Sequence, residues 1–182
     1  VKRVAVSHRT IEQAALGEPL YLVVKSVYYG KENAPLIIGG RYGLASKDTT
    51  PDMINAIYQN LAGEAKNPFT VGINDDIKHT SLEVTEHIDV ADPTTTELLF
   101  FGLGSDGTVG ACKNTSKIIG DNTDLYSQSY AAYDSKKSGG STRLHLRFGK
   151  NPIRSTYLVN NPHFVSCSTD AYLAKFDMIS GL

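Results

Sequence analysis

The sequence predicts an α/β fold made of two small parallel-sheet modules, the second of them truncated. In the first half, short apolar runs alternate with helical patterns, as in parallel strands joined by crossover helices. A second strand–turn–helix pattern begins at Glu97, after a polar and irregular stretch. This second pattern is still open at the last residue, so we expect further strands to belong to its sheet.

The composition is that of an ordinary globular protein. The 182 residues carry a net charge of -1, which argues against a broad surface for nucleic acid or for a membrane. No apolar run reaches about 18 residues, and the start does not resemble a signal peptide, so the cytoplasm is the expected location. Cys112 and Cys167 are too few for an iron–sulfur site, and we expect two reduced thiols that are buried or half-buried.

Three strands and two helices are expected in the first module. The strands are the apolar runs Lys2–Val6, Ala34–Ile38 and Phe69–Ile73. Pro19 occupies a favoured first position of the first helix, and Gly30 would end that helix as a left-handed cap. The apolar residues at helical spacing are Leu20, Val23, Val24, Val27 and Tyr28.

The second helix is expected to begin at Pro51, with Thr50 as its N-cap. Its expected apolar face consists of Met53, Ile54, Ile57, Tyr58 and Leu61. Before it, Gly39, Gly40 and Gly43 are interpreted as a loop where the backbone needs freedom.

Polar residues close this first module. Asp75 and Asp76 are interpreted as turn caps, because adjacent carboxylates on a strand would point in opposite directions. We place the module at residues 1–80 and a linker at residues 81–96, which includes the break at Asp92-Pro93.

The second module is placed at residues 97–182. Its expected strands are Glu97–Phe101, Leu125–Tyr133, Thr142–Phe148 and Phe164–Cys167. A helix is expected from Thr108 to Ile119, and another is expected to start within Asp170–Phe176.

A glycine-rich loop with the spacing Gly102-x-Gly104-x-x-Gly107 follows the first strand of this module and precedes its helix. In that context, glycines let backbone N–H groups approach an anion, and the helix N-terminus adds favourable partial charge. Phosphate binding is the favoured interpretation, and packing of a tight turn is the alternative.

A turn rich in lysine follows the second strand of the module. Asp134 stands where a dinucleotide site often holds ribose hydroxyls, but Lys136 and Lys137 follow it at once. Two ammonium groups suit a phosphate on the ribose, so the residues indicate coenzyme A or, less favoured, NADP. The alternative is a solvated lysine turn.

The remaining charged residues give no strong sign of catalysis. On a strand, Arg143, His145 and Arg147 share a face, which would extend an anion site, dock another domain or form an exposed polar surface. Lys150 and Arg154 follow in the same basic group. The histidines, which show no metal-ligand spacing, are His8, His79, His87, His145 and His163.

Several long motifs resemble the pyruvate:ferredoxin (flavodoxin) oxidoreductase family. GEPLYL, GGRYGLASKDTTP and FTVGINDD look like the end of the family's second domain. FGLGSDGTVGACKNTSKIIG, YDSKKSGG and LRFGKNPIRSTYLV look like the first part of its third, gamma-like domain. Ala45, where we expect glycine, and Cys112, where we expect asparagine, are mild departures.

This resemblance implies oxidative decarboxylation of pyruvate to acetyl-CoA and CO2, with thiamine diphosphate as cofactor and electrons passed through 4Fe-4S clusters to ferredoxin or flavodoxin. It places those cofactors elsewhere in a parent enzyme, so the isolated chain is expected to be inactive. Residues 1–80 would resemble a transketolase C-terminal domain, and the later residues a Rossmann-like module. The resemblance implies that coenzyme A lies at Gly102, Gly104, Ser105, Lys136 and Lys137.

The expected partners are the remaining domains of a parent enzyme, which would be a homodimer, and ferredoxin or flavodoxin as its electron acceptor. Neither nucleic acid nor a membrane is expected. A hydrogenosome or similar organelle is the alternative to the cytoplasm. The alternative functions are the corresponding piece of a fused pyruvate:NADP oxidoreductase and a non-catalytic nucleotide-binding module.

Overall fold

The computed structural model describes residues 1–43, 47–75, 77–134, 140–154, 158–179 and 181–182. The chain divides into two compact units, Val1–Val90 and Ala91–Leu182. Within the described ranges, no helix is long and apolar enough to cross a membrane.

The first unit is a parallel sheet with a helix on each face. Its elements are β1 (Arg3–His8), α1 (Pro19–Val27), β2 (Leu36–Tyr42), α2 (Pro51–Ala62) and β3 (Phe69–Val71). The strand order is β1-β2-β3, and both pairings are parallel. Alternate residues of a strand point to opposite faces, so neighbouring Ile37 packs with α1 and Ile38 with α2. The sequence prediction of a parallel α/β module is therefore confirmed.

Helix α1 packs on the sheet with only part of the face that was expected, because Val24 and Tyr28 contact the core as predicted but the other three residues of that face do not. Tyr21 is buried with Val6 and Ile37, whereas Leu20, Val23 and Val27 are each more than half exposed. The reason is the space above Gly39, where an added Cβ would lie 2.8 Å from the Tyr21 ring. The helix ends at Val27, and Gly30 follows with the expected left-handed backbone at a φ of 73°.

The glycines of β2 correct a second expectation. Gly39 and Gly40 lie within the strand and not in a loop. A Cβ on Gly40 would lie 2.3 Å from the ring of Phe69, so the strand needs glycine there to admit an aromatic side chain. Gly43 is the residue that leaves the strand, with a φ of 51°.

The caps predicted at Thr50 and Asp75 are both present in the first unit. The Thr50 hydroxyl accepts a hydrogen bond from the Met53 amide at 3.4 Å, and Pro51 is the first residue of α2, as predicted. The carboxylate of Asp75 accepts hydrogen bonds from the amides of Ile77 and Lys78, which confirms its role as a turn cap. A hydrogen bond from the Thr80 hydroxyl and these amide bonds lower the pKa of Asp75 to about 2. Asp76 lies outside the described residues.

The second unit contains a mixed sheet of four strands. Its elements are β4 (Thr96–Leu103), α3 (Thr108–Asn122), β5 (Tyr126–Tyr133), β6 (Ser141–Gly149) and β7 (Phe164–Cys167). The order is β5-β6-β4-β7, with β7 parallel to β4 and with β6 antiparallel to both β4 and β5. The α/β class is confirmed, but only one of these pairings is parallel. Strands β5 and β6 follow each other without a crossover helix, so they pair as a hairpin.

The two faces of this sheet carry different cores. Helix α3 covers one face, where Cys112 packs against Leu144 and Leu146. The C-terminal residues cover the other face, where Tyr172 and Met178 pack with Leu99 and Phe101. Both cysteines are free, with Cys112 buried and Cys167 half-buried, as expected.

The helix expected near the C-terminus is reduced to a single 3-10 turn, Asp170–Tyr172. The chain turns immediately afterwards, which brings the rings of Tyr172 and Phe176 into edge contact at a centroid distance of 5.3 Å. Because both rings pack on the sheet, tertiary burial outweighs the helical tendency of this stretch.

Candidate functional site

A glycine loop, Gly102–Gly107, lies where β4 ends and α3 begins. This is the strand–turn–helix context that the sequence predicted. Strand β7 is parallel to β4 and ends at Cys167, so the carboxyl ends of two neighbouring strands meet at this edge of the sheet. In α/β sheets, ligands are commonly bound outside such carboxyl ends.

The three glycines of the motif have different roles. A Cβ on Gly102 would lie 2.5 Å from the Cβ of Thr108, so this glycine allows the helix to start close against the strand. Gly107 is the N-cap of α3 and has a left-handed backbone, with a φ of 90°. Gly104 has neither constraint, since a Cβ there would meet nothing within 4 Å. Close packing explains Gly102 and backbone geometry explains Gly107, while Gly104 leaves open space beside the backbone.

The carboxylate of Asp106 fills part of the anion position at the start of α3. It accepts hydrogen bonds from the amides of Leu103 at 2.7 Å and Thr108 at 2.8 Å, and from the Ser168 hydroxyl at 2.5 Å. Desolvation raises the pKa of Asp106, but the hydrogen bonds from Ser168, Thr108 and Leu103 outweigh it and hold the pKa below its usual range. Two amides that a phosphate would otherwise use are thus already occupied.

The amides of Gly104, Ser105 and Gly107 remain as donors of the loop. None of the three donates a hydrogen bond to another residue in the part of the chain that the structure describes. Ser105 adopts a left-handed backbone with a φ of 71°, which is uncommon for a residue other than glycine. The predicted residues Gly102, Gly104 and Ser105 are therefore brought together, with Gly102 serving packing and the other two facing open space or solvent.

The predicted residues Lys136 and Lys137 lie outside the described residues. The positions on either side of them are described. The Asp134 amide donates to the carbonyl oxygen of Ser141 at 3.1 Å, and Ser141 is the register partner of Leu103. Both ends of the lysine turn (Ser135–Gly140) thus lie at the same sheet edge as the glycine loop.

Ser168 is a residue of this edge that sequence reasoning missed. Its amide donates to the Phe101 carbonyl at 3.0 Å, and its hydroxyl reaches Asp106 across 62 positions of sequence. The signal was its place directly after the strand Phe164–Cys167. That strand's pairing with β4 is a long-range feature, so the sequence alone did not connect Ser168 to the loop.

Two of the three residues on the shared face of β6 are buried, so this face is not the exposed polar surface that was one of its interpretations. Arg147 is 0% exposed, and its Nε donates to Glu97 Oε1 at 2.7 Å. His145 is also buried, and its Nδ1 accepts from the Val159 amide at 3.0 Å. Only Arg143 of the three is exposed. Glu97, the cross-strand partner of Arg147, supplies the opposite charge that makes this burial possible.

Burial changes the acid–base behaviour of His145. Desolvation, together with the positive charges of Arg147 and Arg143, lowers its pKa to about 4. The imidazole is therefore neutral at physiological pH and belongs to the interior of the sheet. Among the described residues, no group of three or more His, Cys, Asp or Glu side chains is placed to hold a metal ion.

Comparison with known proteins identifies close relatives along the whole chain. Residues 97–182 match the sequence model of the family described as pyruvate ferredoxin/flavodoxin oxidoreductase. All of the chain aligns with pyruvate:ferredoxin oxidoreductase of Moorella thermoacetica at 53% identity, and with pyruvate-flavodoxin oxidoreductase of Enterobacter agglomerans at 54%. It also aligns over its full length with the mitochondrial pyruvate dehydrogenase [NADP(+)] of Euglena gracilis, at 48% identity.

The chain spans only a small part of these relatives. The alignment covers 16% of the Moorella and Enterobacter proteins and 10% of the Euglena protein. These relatives are enzymes by name, and the chain corresponds to one section of each.

Proposed function

The chain belongs to the pyruvate ferredoxin/flavodoxin oxidoreductase family, and from this premise we propose that it works as a section of an enzyme that oxidatively decarboxylates pyruvate. The proposed products are acetyl-CoA and CO2, with electrons passed to ferredoxin or flavodoxin. The observation that carries this proposal is the identity of 53% with the Moorella enzyme over the full chain. The proposed partners are the remaining domains of the parent enzyme and its electron acceptor, in the cytoplasm.

The cofactors of the parent reaction belong to other sections of it in this proposal. A 4Fe-4S cluster takes four cysteine ligands, and this chain has two cysteines in all. Cys112 and Cys167 also pack in cores on opposite faces of the β4 sheet. Thiamine diphosphate and the clusters would supply decarboxylation and electron transfer, while this chain contributes binding and domain packing.

We assign to this chain the adenosine end of coenzyme A. The glycine loop supports the assignment through the amides of Gly104 and Ser105 and the open space beside them. Asp106 already holds two amides, so the loop alone is a weak phosphate site. The phosphate on the ribose would therefore be held mainly by Lys136 and Lys137, whose flanking residues lie at the same edge.

Calorimetric titration of the chain with coenzyme A, dephospho-coenzyme A and NADPH tests this role. Preference for coenzyme A, lost when the 3′-phosphate is removed, would support a phosphate-reading site. Tightest binding of NADPH would instead favour a nicotinamide nucleotide. If none of the three binds, the chain lacks a self-sufficient site, and the assignment of coenzyme A to it is rejected while family membership stands.

Replacing Lys136 and Lys137 together by Ala should weaken coenzyme A binding by roughly 1–3 kcal/mol, as expected for lost charge-assisted phosphate contacts. The matched control is Lys117→Ala with Lys150→Ala, which removes the same charge from exposed positions away from the loop edge. An unchanged dissociation constant in the Lys136/Lys137 variant would reject their role. Equal weakening in both variants would point to a general charge effect.

A second candidate is the corresponding section of a fused pyruvate:NADP oxidoreductase. It is favoured by identities of 48% and 47% with the pyruvate dehydrogenases [NADP(+)] of Euglena gracilis and Cryptosporidium parvum. Assaying the parent enzyme with NADP and with ferredoxin as alternative electron acceptors separates the two. The Euglena protein is named as mitochondrial, so an organelle is the alternative location for such a form.

A further inference from the structure

A small cavity lies between helix α1 and strand β2 of the first unit. Its volume is about 90 Å³, whereas one water molecule needs only about 10–15 Å³, so it has room for a small molecule. Its walls come from residues 16–18 and Tyr21, from the last part of β2 and from residues 67–69. All of these residues belong to the first unit, so the cavity does not rest on the function proposed for the glycine loop.

A glycine and an asparagine build the inner wall of the cavity. Gly39 has no side chain, and the ring of Tyr21 occupies the space above it. The Asn67 side chain holds this arrangement in place. Its Oδ1 accepts a hydrogen bond from the Gly39 amide at 3.0 Å, and its Nδ2 donates to the Tyr21 hydroxyl at 3.2 Å. Specific contacts between α1, β2 and the chain that leads into β3 therefore shape the cavity.

Arg41 and Glu18 place opposite charges in the wall of the cavity. Arg41 points to the same face of the sheet as Gly39, two residues earlier on the strand. Its Nε lies 3.9 Å from Glu18 Oε1, which is beyond hydrogen-bond reach, although the two side chains are only 25% and 12% exposed. The Glu12 amide donates to the other oxygen of Glu18, Oε2, at 2.7 Å, and this bond fixes the position of the carboxylate.

Both charged groups lack hydrogen bonds on the side where they face each other. Among the residues that the structure describes, the guanidinium of Arg41 donates no hydrogen bond, and Oε1 of Glu18 accepts none. Charged groups that are mostly buried are ordinarily hydrogen-bonded, and a guanidinium has five N–H groups to donate. The cavity thus presents donors and an acceptor side by side, next to apolar surface from Leu16 and Pro68.

We propose that this cavity binds a small α-amino acid with an aliphatic side chain, in its zwitterionic form. The ligand's carboxylate accepts hydrogen bonds from the forked donors of Arg41, and its ammonium group donates to Glu18 Oε1. Glu18 repels a simple anion and Arg41 repels a simple cation, so the pair selects a ligand that carries both charges. The aliphatic side chain covers Leu16, which is 98% exposed and lies at the open rim of the cavity.

Calorimetric titration of the whole chain with L-valine tests this proposal, alongside two analogues that keep its branched end. One analogue, 3-methylbutanoate, lacks the ammonium group, and the other, isobutylamine, lacks the carboxylate. L-Valine should bind, and each analogue should bind at least about tenfold more weakly, as expected for the loss of a charge-assisted hydrogen bond. No binding of L-valine would overturn the proposal. An analogue that binds as tightly as L-valine would overturn the recognition of both charges.

Two single variants, Arg41→Gln and Glu18→Gln, should each weaken L-valine at least about tenfold, because each removes one of the two recognising charges. The matched control, Lys2→Gln with Glu32→Gln, removes one charge of each sign from exposed positions outside the cavity and should leave the affinity unchanged. Urea unfolding checks that each variant is folded.

Leu16→Ala provides a variant that does not disturb the fold, because its side chain is almost fully exposed. It should weaken L-valine severalfold through loss of apolar contact. Unchanged affinity for L-valine in Arg41→Gln, Glu18→Gln and Leu16→Ala would show that the ligand binds elsewhere and would overturn the assignment to this cavity. Since coenzyme A is not a ligand in these titrations, neither result bears on the proposed function.

Discussion

At the residue scale, the ion pair between Glu97 and Arg147 is the most costly feature to disturb. The two side chains are buried directly opposite each other, with 2.7 Å between Arg147 Nε and Glu97 Oε1. Glu97→Gln should lower the free energy of unfolding by about 3–5 kcal/mol, because it removes the carboxylate charge that faces a buried guanidinium at 2.7 Å. The measurement is urea-induced unfolding of the second unit.

The control for this prediction is a double variant, Glu97→Leu with Arg147→Met. It should be less destabilised than Glu97→Gln, because removing both charges leaves neither uncompensated. Arg143→Ala, at an exposed position of the same strand, should change stability little. If the double variant loses as much free energy of unfolding as the two single substitutions lose in sum, the pair is not coupled.

His145 makes the stability of the second unit depend on pH. Its pKa is lowered to about 4 in the folded chain, against an ordinary value of 6.5, so the unfolded chain binds more protons between these limits. Stability from this group is complete above about pH 6.5 and falls as the pH drops towards 4, by roughly 2–3 kcal/mol.

Two measurements check this behaviour of His145. In a proton NMR titration its ring resonances should remain those of a neutral imidazole down to about pH 5. In thermal unfolding, the variant His145→Gln should lose the pH dependence between pH 4.5 and 6.5, while carboxylates such as Asp75 act at lower pH. A normal titration near pH 6.5 would contradict the buried, neutral state.

At the scale of elements, Gly102 and Gly104 form a natural pair for comparison. Gly102→Ala should destabilise the second unit by about 1–3 kcal/mol, because the new methyl group would collide with Thr108 at the start of α3. Gly104→Ala places its methyl group in open space and should leave the free energy of unfolding nearly unchanged. Urea unfolding of both variants measures the difference.

The variants Gly102→Ala and Gly104→Ala also distinguish effects on packing from effects on ligand binding. Gly104→Ala should weaken coenzyme A if the ligand approaches the loop backbone there, although the fold is unaffected. Similar stabilities for the two variants would mean that β4 and α3 are less closely packed than the geometry requires. Unchanged coenzyme A binding by Gly104→Ala would restrict the site to the lysine turn.

At the scale of the whole molecule, exposed apolar surface and free sheet edges predict association or marginal stability of the chain. On the first unit, Leu16, Leu20, Val23 and Val27 are all more than half exposed. Helical spacing brings the last three to one side of α1, and β1 is an edge strand. Sedimentation velocity should show a mass that rises with concentration, or thermal unfolding should begin at low temperature.

Substituting Val23 and Val27 together by Lys tests the source of such association. The change should reduce self-association without lowering the unfolding temperature, because neither side chain belongs to the core. The matched control replaces Lys113 and Lys117, exposed on α3, by Ala. A monomer that unfolds cooperatively, independently of concentration, would contradict the prediction.

Local signals in the sequence determined most of the elements and the place of the glycine loop. The two neighbouring residues Thr50 and Pro51 are enough to define the start of α2. The alternation of apolar residues over nine positions is enough to identify β6. The long motifs from Phe101 to Gly120 and from Tyr133 to Gly140 led to the family, which the comparisons confirm. The adenosine site itself stays a prediction.

Only the tertiary structure decided which polar residues are buried and which loops meet. Periodicity shows that Arg143, His145 and Arg147 share a face, but burial depends on what covers that face, and Glu97 lies 50 positions away from its partner. The contact of Ser168 with Asp106 likewise requires β7 to pair with β4. Gly39 and Gly40 were predicted to lie in a loop, because the sequence does not show that the rings of Tyr21 and Phe69 pack over them. A short window of sequence records the propensity of its own residues, whereas these contacts depend on elements folded together from distant parts of the chain.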